Sequence, residues 1–266
     1  MRRIQRLPDH LVNQIAAGEV VERPASALKE LLENSLDAGA RAIQIELAGG
    51  GIRLIRVADD GGGMLPDDLA LALDRHATSK IHSLDELEAV ATLGFRGEGL
   101  ASIAAVSRLT LTSRTADAPH ASEISAEDGV LGTLGPAARD TGTTVSVADL
   151  YFNTPARRKF LKSAETEASH VEHQIRLHAL AYPQVRFAYK RDDQLVFDLP
   201  ATADLRVRIS ALTDAATAAA LIPIETTIGP GISITGFLLP LSEARRTRKG
   251  QYVFMNTRPV EDQLIN

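Results

Sequence analysis

The sequence contains neither cysteine nor tryptophan, and aromatic residues make up only 4% of its 266 positions. Without cysteine, a disulfide framework and a cysteine-ligated zinc or iron–sulfur site are both excluded. An excess of positive charge is also lacking, because the formal net charge is −5. Any contact with nucleic acid therefore requires local basic patches rather than a generally basic surface.

Long apolar runs are missing too. No stretch approaches the length of a membrane span, and no apolar segment of signal-peptide length follows the N-terminal MRRIQRLPDH. Apolar residues nevertheless make up 44% of the chain, which is enough to fill a core. We therefore expect a cytoplasmic globular protein with one large domain or two ordinary ones.

What the sequence does have is one strongly patterned helix. Residues 23–39, RPASALKELLENSLDAG, predict a helix with Pro24 in its first turn and Gly39 at its C-terminal cap. Helical spacing predicts an apolar face of Leu28, Leu31, Leu32, Ser35 and Leu36 and an opposite face of Glu30, Asn34 and Asp37. Taken alone, the polar face indicates no more than a solvated surface.

A hairpin predicted over residues 43–47 and 52–57 leads into a glycine-rich turn, Asp59-Asp60-Gly61-Gly62-Gly63. The turn is either a plain loop or a backbone that passes close to a flat ligand, which only residues without a Cβ allow. In the second interpretation, Asp59 would accept a hydrogen bond from an exocyclic amine.

A second glycine-rich stretch, GFRGEG at residues 94–99, opens the apolar run LASIAAVS. It is either a tight helix entry or a loop whose N–H groups bind an anion such as phosphate. Nearby donors that suit a polyphosphate are Thr78, Ser79, Lys80 and Arg96. The chain has no P-loop sequence, so a P-loop nucleotide site is excluded. A Rossmann dinucleotide site is not indicated, because no strand leads into its glycine fingerprint.

The other elements follow from alternation and helical spacing. A short opening helix is predicted before Gly18, further helices at 69–73, 84–91, 156–161 and 165–181, and strands at 109–113 and 142–147. A second hairpin is predicted at 185–190 and 195–199. Residues 115–140 give no firm prediction. From about residue 205 a short helix, an alanine run and strands at 232–239 and 251–255 indicate a second domain.

Four motifs together resemble those of the ATPase superfamily that contains gyrase, heat-shock chaperones, histidine kinases and MutL. In order and spacing they are Glu30-x-x-x-Asn34, Asp59-x-Gly61-x-Gly63, GFRGE at 94–98 and GTT at 142–144. Within that superfamily, the strings NQIAAGEVVERPAS, ENSLDAGA, RHATSKI, LGFRGE and NTPARRKFL are similar to the MutL mismatch-repair family. The resemblance covers essentially the whole chain.

The resemblance implies an α/β (α+β) two-layer fold, a mixed sheet covered by helices of the Bergerat ATP-binding type, over residues 1–204. A truncated domain similar to ribosomal protein S5 domain 2 would follow over residues 205–266. The implied function is DNA mismatch repair, with Mg²⁺-dependent ATP binding and slow hydrolysis driving N-terminal homodimerisation. The implied partners are DNA without sequence specificity, a MutS-type mismatch-recognition protein and downstream repair enzymes, in a bacterial cytoplasm and at the nucleoid during repair.

The resemblance also assigns roles to single residues. Glu30 would be the general base that activates the attacking water, and Asn34 would bind Mg²⁺ through its side-chain oxygen. Asp59 would accept from the adenine amino group, with Gly63 and Thr144 shaping the base pocket. The lid over the phosphates would consist of Thr78, Ser79, Lys80, Phe95, Arg96, Gly97, Glu98, Gly99 and Leu100.

This sequence departs from the family pattern in several places. Gly99 stands where alanine is common, which is expected to make the lid more flexible, and Tyr151-Phe152 reverses the usual order. Glu261 and Gln263 stand where relatives are more basic. The family's phosphate-contacting lysine in the second domain would lie beyond residue 266, so we expect slow hydrolysis by residues 1–266.

Several alternatives stay open beside this interpretation. The basic clusters at 157–159 and at Arg245, Arg246, Arg248 and Lys249 are either solvated charge or DNA contacts. His170, His173 and His178 are most simply a solvated helix face rather than a metal pair. A histidine kinase would require a phosphoacceptor helix before the central helix, where only about twenty residues precede it. A scaffold with a decayed nucleotide site is opposed by the intact Glu30 and Asn34.

Overall fold

The computed structural model describes residues 5, 8–75, 77–80, 93, 97–229, 231–243 and 250–260. The chain divides into two compact units, one formed by residues 1–175 and 185–200 and the other by residues 176–184 and 201–266. The helix predicted at 84–91 lies outside the described residues. Among the described helices, none is both long and apolar enough to cross a membrane.

The first unit is a large sheet with helices on one side. Its described helices are α1 (Asp9–Val20), α2 (Pro24–Asp37), α3 (Pro66–Ala72), α4 (Gly99–Ala104), α5 (Pro155–Arg158) and α6 (Ala164–Ala181), which begins in this unit. Its strands are β1 (Ala42–Ala48), β2 (Leu54–Asp59), β3 (Arg108–Arg114), β4 (Ala121–Glu127), β5 (Val130–Leu131), β6 (Gly135–Ala137), β7 (Gly142–Ala148), β8 (Arg186–Arg191) and β9 (Gln194–Leu199).

The strands pair in the order β5-β4-β3-β7-β2-β1-β8-β9, and β6 also pairs with β4. All of these pairs are antiparallel except β1 with β8, so the sheet is mixed. Along β1, β2, β3 and β7, buried residues alternate with half-exposed or exposed ones. One face of the sheet therefore lies under helices and the other is open. The predicted class, a mixed sheet covered by helices, is confirmed.

The central helix α2 forms as its sequence predicts. Pro24 occupies the first turn, and Gly39 follows the helix with a φ of +75°, a conformation that glycine adopts without strain. Leu28, Leu31 and Leu32 are fully buried or nearly so, and the helix contacts β2 and α4. Burying each leucine contributes about 1.5–3 kcal/mol. Burial of the apolar face thus determines that the opposite face, with Glu30, Asn34 and Asp37, is the one available to a ligand.

The first helix differs from the prediction because one glycine has a packing role. Helix α1 continues through Gly18 to Val20 instead of ending before the glycine. A Cβ on Gly18 would lie 2.4 Å from the guanidinium of Arg157, which donates to the carbonyl of Val21 at 3.1 Å. Glycine here permits close approach of a side chain and does not end the helix.

Two other segments differ from the prediction, and one segment without a prediction forms strands. Residues 115–140, without a firm prediction, contain β4, β5 and β6. The helix predicted at 156–161 is the single turn α5. In the second unit, the strand predicted at 251–255 shortens to Phe254–Met255.

The second unit contains two short helices and two antiparallel strand pairs. These are α7 (Leu205–Leu212), α8 (Ala215–Ala220), β10 (Ile222–Thr227) with β11 (Ser233–Leu238), and β12 (Phe254–Met255) with β13 (Arg258–Pro259). Asp204 and Asp214 cap α7 and α8 by accepting backbone N–H groups at 2.8 Å each. Strand β10 was not predicted, because Pro223 interrupts its apolar pattern.

Candidate functional site

The best-defined polar group of the first unit is the carboxylate of Asp59 at the end of β2. Its residue is only 7% exposed. Oδ2 accepts from the Ser35 hydroxyl at 2.8 Å, and Oδ1 accepts from the N–H groups of Gly61 at 2.9 Å and Thr143 at 3.2 Å. Burial raises the pKa of Asp59 above its ordinary value, and these hydrogen bonds oppose that rise.

The Asp59 carboxylate keeps capacity for one more donor. A carboxylate offers about four acceptor positions, two on each oxygen. Both positions on Oδ1 are used by backbone N–H groups, whereas among the described residues only Ser35 donates to Oδ2. The arrangement can therefore accept a hydrogen bond from a ligand amine at Oδ2.

The glycine turn after Asp59 is shaped mainly by close contact with the protein's own backbone. A Cβ on Gly61 would lie 2.8 Å from the carbonyl oxygen of Ala38. Gly63 has a φ of +73°, and its Cβ would lie 2.1 Å from the carbonyl oxygen of Arg114. Both glycines are thus required by the fold. The backbone at these two glycines does pass close to another group, but that group is the protein's own backbone.

The threonine beside Asp59 is Thr143, which corrects the sequence expectation of Thr144. Neighbouring side chains of a strand point to opposite faces of a sheet. Thr143 is buried on the helix-covered face, where its hydroxyl is 2.9 Å from that of Ser113. Thr144 pairs with Ala58 and Thr112 and lies on the open face. Thr144 is therefore not placed to line a pocket around the Asp59 carboxylate.

A further hydrogen bond stabilises the turn at the main chain of Asp59. The Arg139 guanidinium donates to the main-chain oxygen of Asp59 at 2.7 Å. Sequence reasoning missed Ser35, Thr143 and Arg139 as neighbours of Asp59. The one available signal was Ser35, a polar residue on an otherwise apolar helix face.

The polar face of α2 gathers a second group of side chains. Glu30, Asn34 and Asp37 are all half-buried. Lys80 Nζ donates to Asn34 Oδ1 at 2.9 Å and to Asp37 Oδ2 at 2.5 Å. The backbone N–H of Lys80 donates to the hydroxyl of Thr78 at 3.1 Å. The structure therefore brings the 77–80 segment onto the central helix.

The start of α4 lies against Glu30. A Cβ on Gly99 would be 2.6 Å from Glu30 Oε2, so the absence of a side chain at 99 lets the carboxylate approach the helix backbone. Gly97 has a φ of +62°, and its Cβ would lie 2.4 Å from the carbonyl oxygen of Ala77. Gly97 and Gly99 thus bring this loop into contact with both the 77–80 segment and α2.

The remaining predicted site residues are distributed as follows. Glu98 precedes α4, Leu100 lies in its first turn, and Ser79 is exposed. Phe95 and Arg96 lie outside the described residues, as do Arg245, Arg246, Arg248, Lys249, Glu261 and Gln263. In the other basic cluster, Arg157 is tied to the Val21 carbonyl, whereas Arg158 and Lys159 are exposed.

A cavity of about 260 Å³ adjoins Glu30 on the side of α6. It is lined by Val20, Arg23, Ala25, Ser26, Lys29, Glu30, His170, His173 and Gln174. Within the described part of the chain, no group of three histidine, cysteine or acidic side chains could hold a metal ion. His170 and His173 lie in the lining of this polar cavity.

Comparison with known proteins agrees with this geometry. The family described as Histidine kinase-, DNA gyrase B-, and HSP90-like ATPase matches residues 22–129, which include α2, the Asp59 turn and the start of α4. Among solved structures, the Aquifex aeolicus MutL ATPase domain complexed with ADP is similar, with a TM-score of 0.71 and 31% identity. The match covers 92% of this chain and 86% of that one.

The chain belongs to the MutL family. It is 72% identical over 256 residues to the DNA mismatch repair protein MutL of Akkermansia muciniphila, covering 96% of this chain and 40% of that protein. It is 56% identical over 265 residues to MutL of Neisseria meningitidis serogroup B, again with 40% of that protein covered. This MutL-family chain thus spans about 40% of the length of the curated relatives it matches.

Proposed function

We propose that this MutL-family chain binds ATP with Mg²⁺ and hydrolyses it slowly, as part of DNA mismatch repair. The proposal rests on the remaining acceptor position of the buried Asp59 carboxylate. This carboxylate is bonded to Ser35 on α2, the helix that also carries Glu30 and Asn34. The ADP complex of the similar Aquifex domain supports nucleotide as the ligand.

Asp59 selects adenine in this proposal. The exocyclic amine of adenine donates to Oδ2, where Ser35 leaves an acceptor position, and Gly63 holds the turn that limits the base pocket. Guanine carries a carbonyl oxygen at the equivalent ring position, which a carboxylate repels. Discrimination between the two bases thus follows from a single buried acceptor.

Asn34 and Glu30 serve the phosphates. An amide oxygen suits Mg²⁺, which prefers oxygen ligands and is commonly held by few protein groups together with substrate phosphates. When bound, Mg²⁺ supplies neutralisation of phosphate charge. Glu30 takes a proton from the water whose oxygen attacks the γ-phosphorus, as the bond to the β-phosphate oxygen breaks. ADP and phosphate are the products.

The lid in this proposal consists of Thr78, Ser79, Lys80 and residues 95–100. The contact of Gly97 with Ala77 supports a common action of the two segments, because it holds them side by side. The lid excludes water and places donors around the phosphates.

The roles beyond the nucleotide site concern the whole protein. We propose ATP-dependent homodimerisation, DNA binding without sequence specificity, and interaction with a MutS-type protein and downstream repair enzymes, in the cytoplasm and at the nucleoid. Val12 and Ile15 on α1 are 41% and 53% exposed, and Phe160 is 83% exposed, which supports a protein interface near these segments. Exposed Arg158 and Lys159 suit phosphate contacts of DNA. An ATPase domain at 1–204 and an S5-like domain from 205 remain part of the proposal.

The proposal is tested by nucleotide binding and turnover with Mg²⁺. Glu30→Ala should bind ATP with near wild-type affinity and lose turnover by about 10²–10⁴-fold, the range of general base catalysis. Glu165→Gln is the control, because Glu165 is an exposed carboxylate paired with Arg191 on the surface. If neither wild type nor control binds ATP, the chain is a scaffold whose nucleotide site has decayed.

A further inference from the structure

The ammonium group of Lys80 is shared between two acceptors on the central helix α2. Its Nζ lies 2.9 Å from Asn34 Oδ1 and 2.5 Å from Asp37 Oδ2. The Lys80 and Asp37 side chains are only 20% and 10% exposed. Solvent therefore screens this ion pair much less than it screens a surface pair.

Asp37 also binds the backbone further along the chain, at Leu93. Its Oδ1 accepts the backbone N–H of Leu93 at 3.0 Å, while its Oδ2 binds the Lys80 ammonium. The backbone of Lys80 is fixed in turn by its hydrogen bond to Thr78. The position of the ammonium is thus set by its bonds to Asn34 and Asp37 and by the backbone bond of Lys80 to Thr78.

The oxygen that Lys80 occupies is the one proposed above for the metal. A cation bound to Asn34 Oδ1 would share its ligand atom with the ammonium group, and two neighbouring cations in a half-buried site repel each other. We propose that Lys80 and Mg²⁺ compete for Asn34 Oδ1, and that binding of the metal with ATP moves the ammonium from α2 to the phosphates. This inference rests on the proposed nucleotide site.

Competition predicts a specific dependence of nucleotide binding on Mg²⁺. The quantity to measure is the metal enhancement, defined as the Kd of a non-hydrolysable ATP analogue in EDTA divided by its Kd in Mg²⁺. Lys80→Met keeps the length of the apolar stem and removes the charge. Binding in EDTA should weaken because the phosphates lose a cation, whereas the metal enhancement should rise roughly tenfold, as expected for removing one charged hydrogen bond.

A double-mutant cycle separates competition at one atom from general charge repulsion. Asn34→Ala removes the shared oxygen, while the phosphates of the analogue can still carry the metal. In the Asn34→Ala background, Lys80→Met should leave the metal enhancement unchanged. An equal rise of the metal enhancement in both backgrounds would mean that Lys80 and Mg²⁺ repel each other without sharing an atom, and it would overturn the proposed competition. No rise in the wild-type background would overturn it as well.

Folding and the parent proposal are checked in the same experiment. Thermal unfolding shows whether each variant is folded, and Lys80→Gln is a second neutral variant that can still donate to Asp37 and should give the same rise. If wild type binds no analogue in either buffer, the proposed nucleotide site itself is wrong, and the inference falls with it. Binding by wild type with an unchanged enhancement in Lys80→Met and Lys80→Gln refutes the competition alone.

Discussion

The Ser35 hydroxyl donates a 2.8 Å hydrogen bond to Asp59 Oδ2 across 24 positions of sequence. It links the buried side of the central helix to the end of β2. Ser35 is 3% exposed and Asp59 7%, so the bond lies almost wholly out of contact with water. Because a buried carboxylate needs donors for its oxygens, the helix contributes to the Asp59 site from its core-facing side as well as through Glu30 and Asn34.

Removing that donor should weaken both the fold and the site. We expect Ser35→Ala to lower the free energy of unfolding at neutral pH by roughly 1.5–3 kcal/mol, the range for a hydrogen bond to a charged group. The pKa of Asp59 should rise further, since the Ser35 bond is one of the influences that lower it. Urea denaturation measures the first effect and analogue binding the consequence for the site.

The matched control for this change is Ser146→Ala. Ser146 lies half-exposed on the open face of the sheet, on β7, the strand that also carries Thr143. It should unfold within about 0.5 kcal/mol of wild type, as is usual for substitutions at exposed positions. Equal destabilisation by the two serine variants would mean that the Ser35 bond has no special weight.

Asp59→Asn tests two properties of the carboxylate separately: its contribution to nucleotide affinity and its effect on the free energy of unfolding. The amide has nearly the same shape but places a donor where adenine needs an acceptor. We expect nucleotide affinity to fall at least about tenfold, corresponding to the loss of a hydrogen bond to a charged group. Asp117→Asn in an exposed turn should leave affinity unchanged.

The same variant has a predicted dependence on pH. Burial raises the pKa of Asp59 in the folded state, so the folded protein binds this proton more tightly than the unfolded chain does. The contribution of Asp59 to the free energy of unfolding of the wild type is therefore lost as the pH rises through the pKa of its folded state. Asp59→Asn should be at least as stable as wild type at neutral pH, and this advantage should shrink at mildly acidic pH. An advantage that grows on acidification would contradict the raised pKa.

Much of the candidate site could be predicted because it lies on strongly periodic elements. The faces of α2 and the position of Asp59 at a strand end follow from local patterns of spacing. Lys80 was expected in a lid over the phosphates, and its bonds to Asn34 and Asp37 on the central helix were not predicted. The family resemblance added roles that periodicity alone does not supply.

What could not be predicted depends on pairing between distant segments. Thr143 and Thr144 are equivalent in the sequence motif, and only the register of β7 against β2 and β3 decides which one faces Asp59. Strand β4 was missed because its buried positions are mostly small residues, in ASEISAE, rather than β-branched or aromatic ones. Arg139 reaches Asp59 across 80 positions, a contact without any local signal.

The two glycines Gly63 and Gly39 allow the tightness of the Asp59 turn to be measured. Both have positive φ, +73° and +75°, so alanine should cost about 1–2 kcal/mol at either position for the left-handed conformation. A Cβ on Gly63 would also lie 2.1 Å from the Arg114 carbonyl oxygen, whereas no atom of the described residues lies within 4 Å of one on Gly39. Gly63→Ala should therefore lose roughly 1–3 kcal/mol more than Gly39→Ala, the cost of overpacking. Chemical denaturation of the pair gives the difference directly, and equal losses would show that the turn moves away from Arg114 without cost. In that case the shape of the base pocket would not depend on the close contact at Gly63.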